Sequence, residues 1–302
     1  MALSVVAIGE SLVHYFGVIP SYPGLDRTVQ MHQFSMQCGG AAATSAATLA
    51  NLGVAVAYVG KVSDDHFGEV ISGSLADIGV NLRGLVHRPG RIGAFTFIAI
   101  EEAQGRRTAF QSDGDLPPLN VEEVDLTLLD GARYLLLDGT EPAAQIAAAQ
   151  FAKGSNCGVV LRLSGRRPGT TELIALCDYL VVSEHFVSEL VPTGELERGL
   201  RSLKDHGCRA VVITLGEEGC IGLGPDDQLV RVPGHEVDVV DTTGASEIFV
   251  GTLVHGLLEG WPFSLTLRIA NRAAAHACTA LGALAALPRS EEIRAYRKES
   301  ES

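Results

Sequence analysis

The sequence is short of the features that commit a chain to nucleic acid, membrane or metal. Its 302 residues carry 23 Lys and Arg against 36 Asp and Glu, a formal net charge of −13, and no long basic run. A surface of that sign repels nucleic acid and anionic bilayers, so neither is an expected partner. No stretch is apolar for long enough to span a bilayer. Residues 1–9, MALSVVAIG, lack the basic region of a signal peptide and read as a first strand, so the expected location is the cytoplasm. The six cysteines (Cys38, Cys157, Cys177, Cys208, Cys220 and Cys278) form no CxxC pair and lie mostly in apolar surroundings, as buried free thiols do. Nine histidines show no HExxH spacing, so a structural or catalytic zinc is not expected. There is no Walker loop, and no GxGxxG follows an early strand. P-loop NTPases and dinucleotide enzymes are thereby disfavoured.

What is present centres on residues 239–251, VVDTTGASEIFVG. Val237, Val239 and Val240 are β-branched and predict a strand ahead of the Asp241–Gly244 turn. Ala245, Phe249, Leu253 and Leu257 then recur every fourth residue, as one helix face does. A helix start leaves N–H groups without intrahelical partners and carries partial positive charge. Glycine there lets an anion approach closely, so the turn reads as a phosphate cradle. Glu247, in the first helical turn, is placed to accept a proton from an attacking hydroxyl. The plainer alternative is a glycine-capped helix whose Glu247 only complements the dipole.

The length suits one large α/β domain or two small ones. Apolar segments at 134–137, 158–163, 179–182 and 210–215 alternate with helical segments, which predicts a parallel sheet covered on both faces. Ligands of such sheets gather beyond the C-terminal strand ends. His14, Ser164, Ser183, Gly216 and the Gly244 turn all follow strands. Residues 15–38 read as short strands and turns, and the segments around 95–100 and 108–110 as a hairpin about Gly105.

The 239–251 stretch resembles the ribokinase/PfkB signature of sugar and nucleoside kinases, Asp-Thr-Thr-Gly-Ala-Gly-Asp-x-Phe-x-Gly. Ser246 replaces its second glycine and Glu247 its catalytic aspartate. The resemblance extends over nearly the whole chain. Gly39 and Gly40 match a Gly-Gly-x-x-x-Asn motif whose asparagine is Thr44 here. Residues 60–68 match Gly-x-x-Gly-Asp-Asp-x-Phe-Gly except at Ser63. Residues 214–219, TLGEEG, match Thr-Leu-Gly-x-x-Gly in full, and residues 270–276 and 281–288 match as well. In place of Asp-x-Asn-x-Arg stands RLSGR, where Arg166 alone matches; in place of Asn-x-x-Glu stands SEHF, ending at Phe186.

The resemblance implies a single ribokinase-like three-layer α/β/α domain over 1–302. Its central sheet would be mostly parallel, with a small β-sheet lid built from about 15–38 and 88–113. It implies ATP, with magnesium riding on the nucleotide, and K+ beside Asp241. Glu247 would be the base, and Gly244, Ala245 and Ser246 the anion hole. Ser183, Thr214, Gly216, Gly219, Thr243, Asn271 and Gly282 would hold nucleotide. Segments 270–276 and 281–288 would cover the adenine as a helix pair. His14, which stands where the family has an aspartate, would hold the acceptor with Gly39, Gly40, Thr44, Phe97 and Arg166. The reaction would phosphorylate a hydroxymethyl group of a sugar, nucleoside or related small alcohol, with a homodimer formed through the lid. The added methylene at Glu247 and the added Cβ at Ser246 predict slow turnover. Ser246→Gly with Glu247→Asp would then raise it, unless the pocket is adapted to the longer acid. The alternative is a non-catalytic relative that binds nucleotide or sugar as a sensor or partner subunit.

Overall fold

The computed structural model describes residues 3–102, 106–190 and 195–301. In chain order the first half runs β1 (Val5–Ile8), β2 (Leu12–Ile19), β3 (Gln33–Gly39), α1 (Ala41–Asn51), β4 (Val56–Ser63), α2 (His66–Ile78), β5 (Asn81–Arg88), β6 (Phe95–Glu101) and β7 (Arg106–Ser112). It continues with β8 (Tyr134–Leu137), α3 (Pro142–Gly154), β9 (Gly158–Leu163), α4 (Thr170–Leu176), β10 (Tyr179–Ser183), α5 (Glu184–Leu190) and α6 (Leu196–Lys204). The last part holds β11 (Ala210–Thr214), β12 (Cys220–Leu223), β13 (Leu229–Val232), α7 (Ala245–Leu258), α8 (Phe263–Ala277) and α9 (Ser290–Glu301).

Nine strands form the main sheet in the order β13-β12-β11-β10-β9-β8-β1-β4-β5. From β11 to β5 every pairing is parallel. The two strands beyond β11 are antiparallel. Strand alternation sorts side chains to opposite faces. Val6 and Ile8 of β1 join the core under α3, α4, α5 and α6. Val5 and Ala7 join the core under α1, α2, α7 and α8. This is why β1 reads as an unbroken apolar run: it is buried on both faces.

A second sheet, β3-β2-β6-β7, forms the lid. Its β6–β7 pairing is the expected hairpin, whose tip at 103–105 lies outside the described residues. The outer strand β7 is exposed along nearly its whole length.

Two expectations do not hold. Residues 233–240 are irregular, so no strand precedes the Asp241 turn; Val239 and Val240 are exposed, and β-propensity without sheet neighbours to pair with did not make a strand. Residues 281–288 contain a short 3-10 turn (Ala283–Ala286) and no second helix beside α8. The charged tail does form a helix, α9, anchored by the buried Ile293.

Candidate active site

Two helix starts are brought together first. Gly251, on the buried side of α7, faces α1 so closely that a Cβ there would lie 2.7 Å from Thr48 Cβ. The hydroxyl of Ser45 donates to the carbonyl of Glu247 at 3.1 Å. The Gly40 end of α1 therefore stands beside the Gly244 end of α7. Gly244 adopts φ +85°, and an added Cβ would strike Ala283 at 2.1 Å, so the turn needs glycine here.

Asp241 shapes the turn. Its Oδ1 accepts from Thr243 N at 3.1 Å and Thr243 Oγ1 at 2.8 Å, and its Oδ2 accepts from Gly282 N at 3.1 Å. Arg107, from lid strand β7, donates to the same Thr243 hydroxyl at 2.9 Å. The lid is thus tied to the turn through one threonine. The N–H of Ala245 donates to the Thr242 carbonyl at 3.3 Å. Among the described residues, no backbone carbonyl accepts from Gly244, Ser246 or Glu247, and those N–H groups are the free donors of the helix start.

Asp138, at the end of β8, organises the other wall. Its Oδ2 accepts from Glu10 N at 2.8 Å and Ala42 N at 3.2 Å, joining the end of β1 to the start of α1. Its Oδ1 accepts from Thr140 and Gln145.

Two cavities meet at the turn. One, of about 290 Å³, is lined by Glu10, Leu12, His14, Gly40, Ala41, Thr44, Arg107, Arg162, Thr242, Thr243, Gly244, Ser246, Glu247 and Ala283. The other, of about 1120 Å³, runs from Thr214, Gly216 and Gly219 past Gly234–Val239 to Phe249, Asn271 and Cys278. Thr242 and Ser246 line both. The smaller lies on the lid side, where Arg107 enters it, and the larger lies between the β11 end and α8.

Electrostatics differ between them. The lining of the larger cleft includes Glu217, Glu236 and Asp238 and, among the described residues, no lysine or arginine. In the smaller cavity Arg162 Nη2 lies 2.7 Å from Glu247 Oε1. Burial pushes Glu10 up to about 7; nearby Asp138 adds to the rise, while Arg167 and Arg162 oppose it. Burial also lowers His14 from the usual histidine value, against the pull of Glu247 and Asp241, which keeps the ring neutral near pH 7.

The structure gathers His14, Gly40, Thr44, Gly244, Ser246 and Glu247 at the smaller cavity, and Thr214, Gly216, Gly219 and Asn271 at the larger. Thr243 lines the smaller cavity and not the larger. Six other residues fall outside both linings. Gly39 packs against the His14 ring. Phe97 faces Phe110 within the lid. Ser183 caps α5 by accepting from Phe186 N. Gly282 is occupied with Asp241. Arg166 and Ser164 are exposed and line neither cavity. Arg162, four residues earlier on the strand, enters in place of Arg166. Phe186 is fully buried in the core and offers no ligand.

Sequence reasoning missed Glu10, Arg107 and Arg162. Arg162 had a signal: it occupies the position of the acid that opens Asp-x-Asn-x-Arg. Arg107 had none beyond its place in a hairpin, because what matters is that β7 brings it back across 136 residues of sequence to Thr243.

A covered parallel sheet with two cavities sharing one helix start, the smaller one lined in part by His14 and Arg107 of the lid sheet, is an arrangement suited to a small-molecule phosphotransferase. The pfkB family carbohydrate kinase profile matches residues 2–290. Fructokinase-2 of Zea mays is 30% identical over 310 residues, covering 94% of this chain and 91% of its own. Ribokinase of Lactococcus lactis is 26% identical over 280 residues, covering 92% of each. The structure of Arabidopsis thaliana ribokinase complexed with ribose and ATP superposes with a TM-score of 0.85 at 22% identity, covering 99% of each chain. The chain belongs to the pfkB family of carbohydrate kinases, and its fold is ribokinase-like.

Proposed function

We propose that this kinase transfers the terminal phosphoryl group of ATP to a hydroxymethyl group of a sugar, nucleoside or related small alcohol held in the smaller cavity. The supporting observation is that the Thr242–Glu247 helix start is the shared wall of both cavities. Nucleotide in the larger cleft would lie along Thr214, Gly216, Gly219 and Asn271, with its terminal phosphate at the free N–H groups of Gly244, Ser246 and Glu247. These donors and the helix dipole act where charge gathers in the transition state. Glu247 accepts the hydroxyl proton; the acceptor oxygen bonds to phosphorus, the bond from phosphorus to the bridging oxygen breaks, and ADP leaves with that electron pair. His14 and Thr44 meet the acceptor's other hydroxyls as neutral hydrogen-bonding groups.

The chemistry of the lining fits a metal–nucleotide complex. Carboxylates line the cleft without lysine or arginine, and among the described residues no cluster of three or more His, Cys, Asp or Glu is placed to hold an ion. Magnesium would be carried on the nucleotide's phosphates and would neutralise part of their charge. A potassium ion would act at Asp241, behind the cradle. The whole of 1–302 is read as one domain located in the cytoplasm. Its exposed lid strand β7, with Phe110 uncovered, is where a second copy would pair.

The test is an ADP-release assay with magnesium–ATP over a panel of sugars, nucleosides and small polyols, beside thermal melting with ATP. Turnover on at least one acceptor is expected, together with a raised melting temperature. A melting shift with no turnover across the panel would remove the phosphotransfer reading.

A further inference from the structure

We propose that Arg162 is a positioning residue for Glu247: it holds the carboxylate at the cradle and cancels its charge, so that a terminal phosphate can be seated beside the base. The inference rests on Glu247 as base and on the Thr242–Glu247 turn as phosphate cradle. Strand alternation sets the geometry. On β9, Leu161 and Leu163 point into the core under α3 to α6, while Val160 points to the face covered by α7. Arg162 shares the face of Val160 and is aimed at the first turn of α7. Its guanidinium meets Glu247 at 2.7 Å, with side-chain exposures of 18% and 16%. Such a half-desolvated pair is coupled more strongly than a surface ion pair.

The pair joins two departures from the family pattern. Position 162 is the family's first motif acid, and position 247 its catalytic aspartate. A carboxylate at 162 would face the carboxylate at 247. Here a cation faces an acid one methylene longer, so charge and reach compensate each other.

The surroundings make the cancellation matter. Among the described residues that line the two cavities, Arg107 and Arg162 are the arginine and lysine side chains. Arg107 is engaged with Thr243. Without Arg162, the incoming phosphate would meet an uncompensated Glu247 and the acids of the cleft. When Glu247 accepts the acceptor's proton it loses its charge, and Arg162 is left facing the transferred group.

Calorimetry of the full chain with magnesium–ATP and magnesium–ADP, acceptor absent, separates this role from a structural one. Arg162→Met is expected to weaken ATP binding about tenfold, as an unmasked like charge would, and ADP less than about twofold. Arg162→Lys should retain most of the ATP affinity. Glu247→Gln, which frees Arg162, should bind ATP several-fold more tightly than the wild type. In Arg162→Met with Glu247→Gln the ATP loss should vanish. Equal losses for ATP and ADP, or a loss that persists in the double variant, would overturn the inference and leave the kinase reading standing. Should Arg162→Met fail to fold, unchanged ATP affinity in Glu247→Gln overturns it by itself. A wild type that binds neither nucleotide overturns both readings.

Discussion

The hydroxyl of Ser45 donates to the main-chain carbonyl of Glu247, 202 residues away, at 3.1 Å. The same oxygen lies 2.9 Å from the Ala41 carbonyl one turn back in its own helix, so its one proton is shared between the two carbonyls. One small side chain thereby locks the start of α1, on the acceptor side, to the start of α7, which carries the proposed base. Gly251 makes the approach possible by placing no Cβ between the helices.

Gly251→Ala should therefore damage both stability and chemistry. The new methyl would meet Thr48 at 2.7 Å and the Ser45 carbonyl at 3.0 Å. Overpacking of this kind costs about 1–3 kcal/mol, and the melting temperature should fall by several degrees. Turnover should fall further than stability alone explains, because a shift of about 1 Å at a reacting group can cost roughly a hundredfold. An unchanged melting temperature would show that the helices separate freely.

Acceptor choice should move with His14 and Thr44. Both line the smaller cavity, and both stand where the resembled kinases carry an aspartate and an asparagine. Losing a partner for a buried hydroxyl costs about 1–3 kcal/mol. Ribose and fructose are thus expected to be poor acceptors for the wild type. His14→Asp with Thr44→Asn should raise kcat/KM for them by at least about tenfold. Efficient phosphorylation of either sugar by the wild type would show that the cavity reads hydroxyls through other groups.

Glu10 should couple stability to pH. Its folded value, about 7, lies above the ordinary carboxylate value of 4.5. The folded chain therefore binds this proton more tightly than the unfolded one. Its contribution is fully present below about pH 4.5 and is lost as pH rises through 7, by at most about 1.4 kcal/mol per pH unit. Glu10→Gln should gain melting temperature relative to the wild type between pH 5 and pH 8. A constant difference across that range would place Glu10 in an ordinary aqueous environment.

The sheet strands, the lid and the helix start at Gly244 were legible because each rests on local pattern: apolar runs, Gly-rich turns and helical spacing. The antiparallel β12 and β13 were not, since short edge strands carry little periodic signal. Val237–Val240 misled in the other direction, their β-branched side chains serving an exposed loop wall. Within the site, Glu247 and Ser246 were visible as residues of one turn. Arg162 and Arg107 were not visible as its neighbours, because strand alternation and lid pairing, both tertiary facts, bring them there.

The Arg162 contact favours the exception left open by the family signature, a pocket adapted to the longer acid. Glu247→Asp, with or without Ser246→Gly, should lower turnover, because a side chain one methylene shorter withdraws its carboxylate from a guanidinium now at 2.7 Å. A loss of about tenfold or more in kcat is expected from misplacement on this scale. An increase would mean that the cavity has no adaptation to the longer acid.

The most direct measurement is kcat of Glu247→Ala on an acceptor that the wild type phosphorylates, with ATP-dependent melting recorded on the same samples. Turnover should fall by about a hundredfold to ten-thousandfold, the range of a lost general base. ATP should still raise the melting temperature, because the carboxylate repels phosphate and does not hold it. Unchanged turnover would contradict Glu247 as the proton acceptor, and with it the account of the Thr242–Glu247 turn as the catalytic centre.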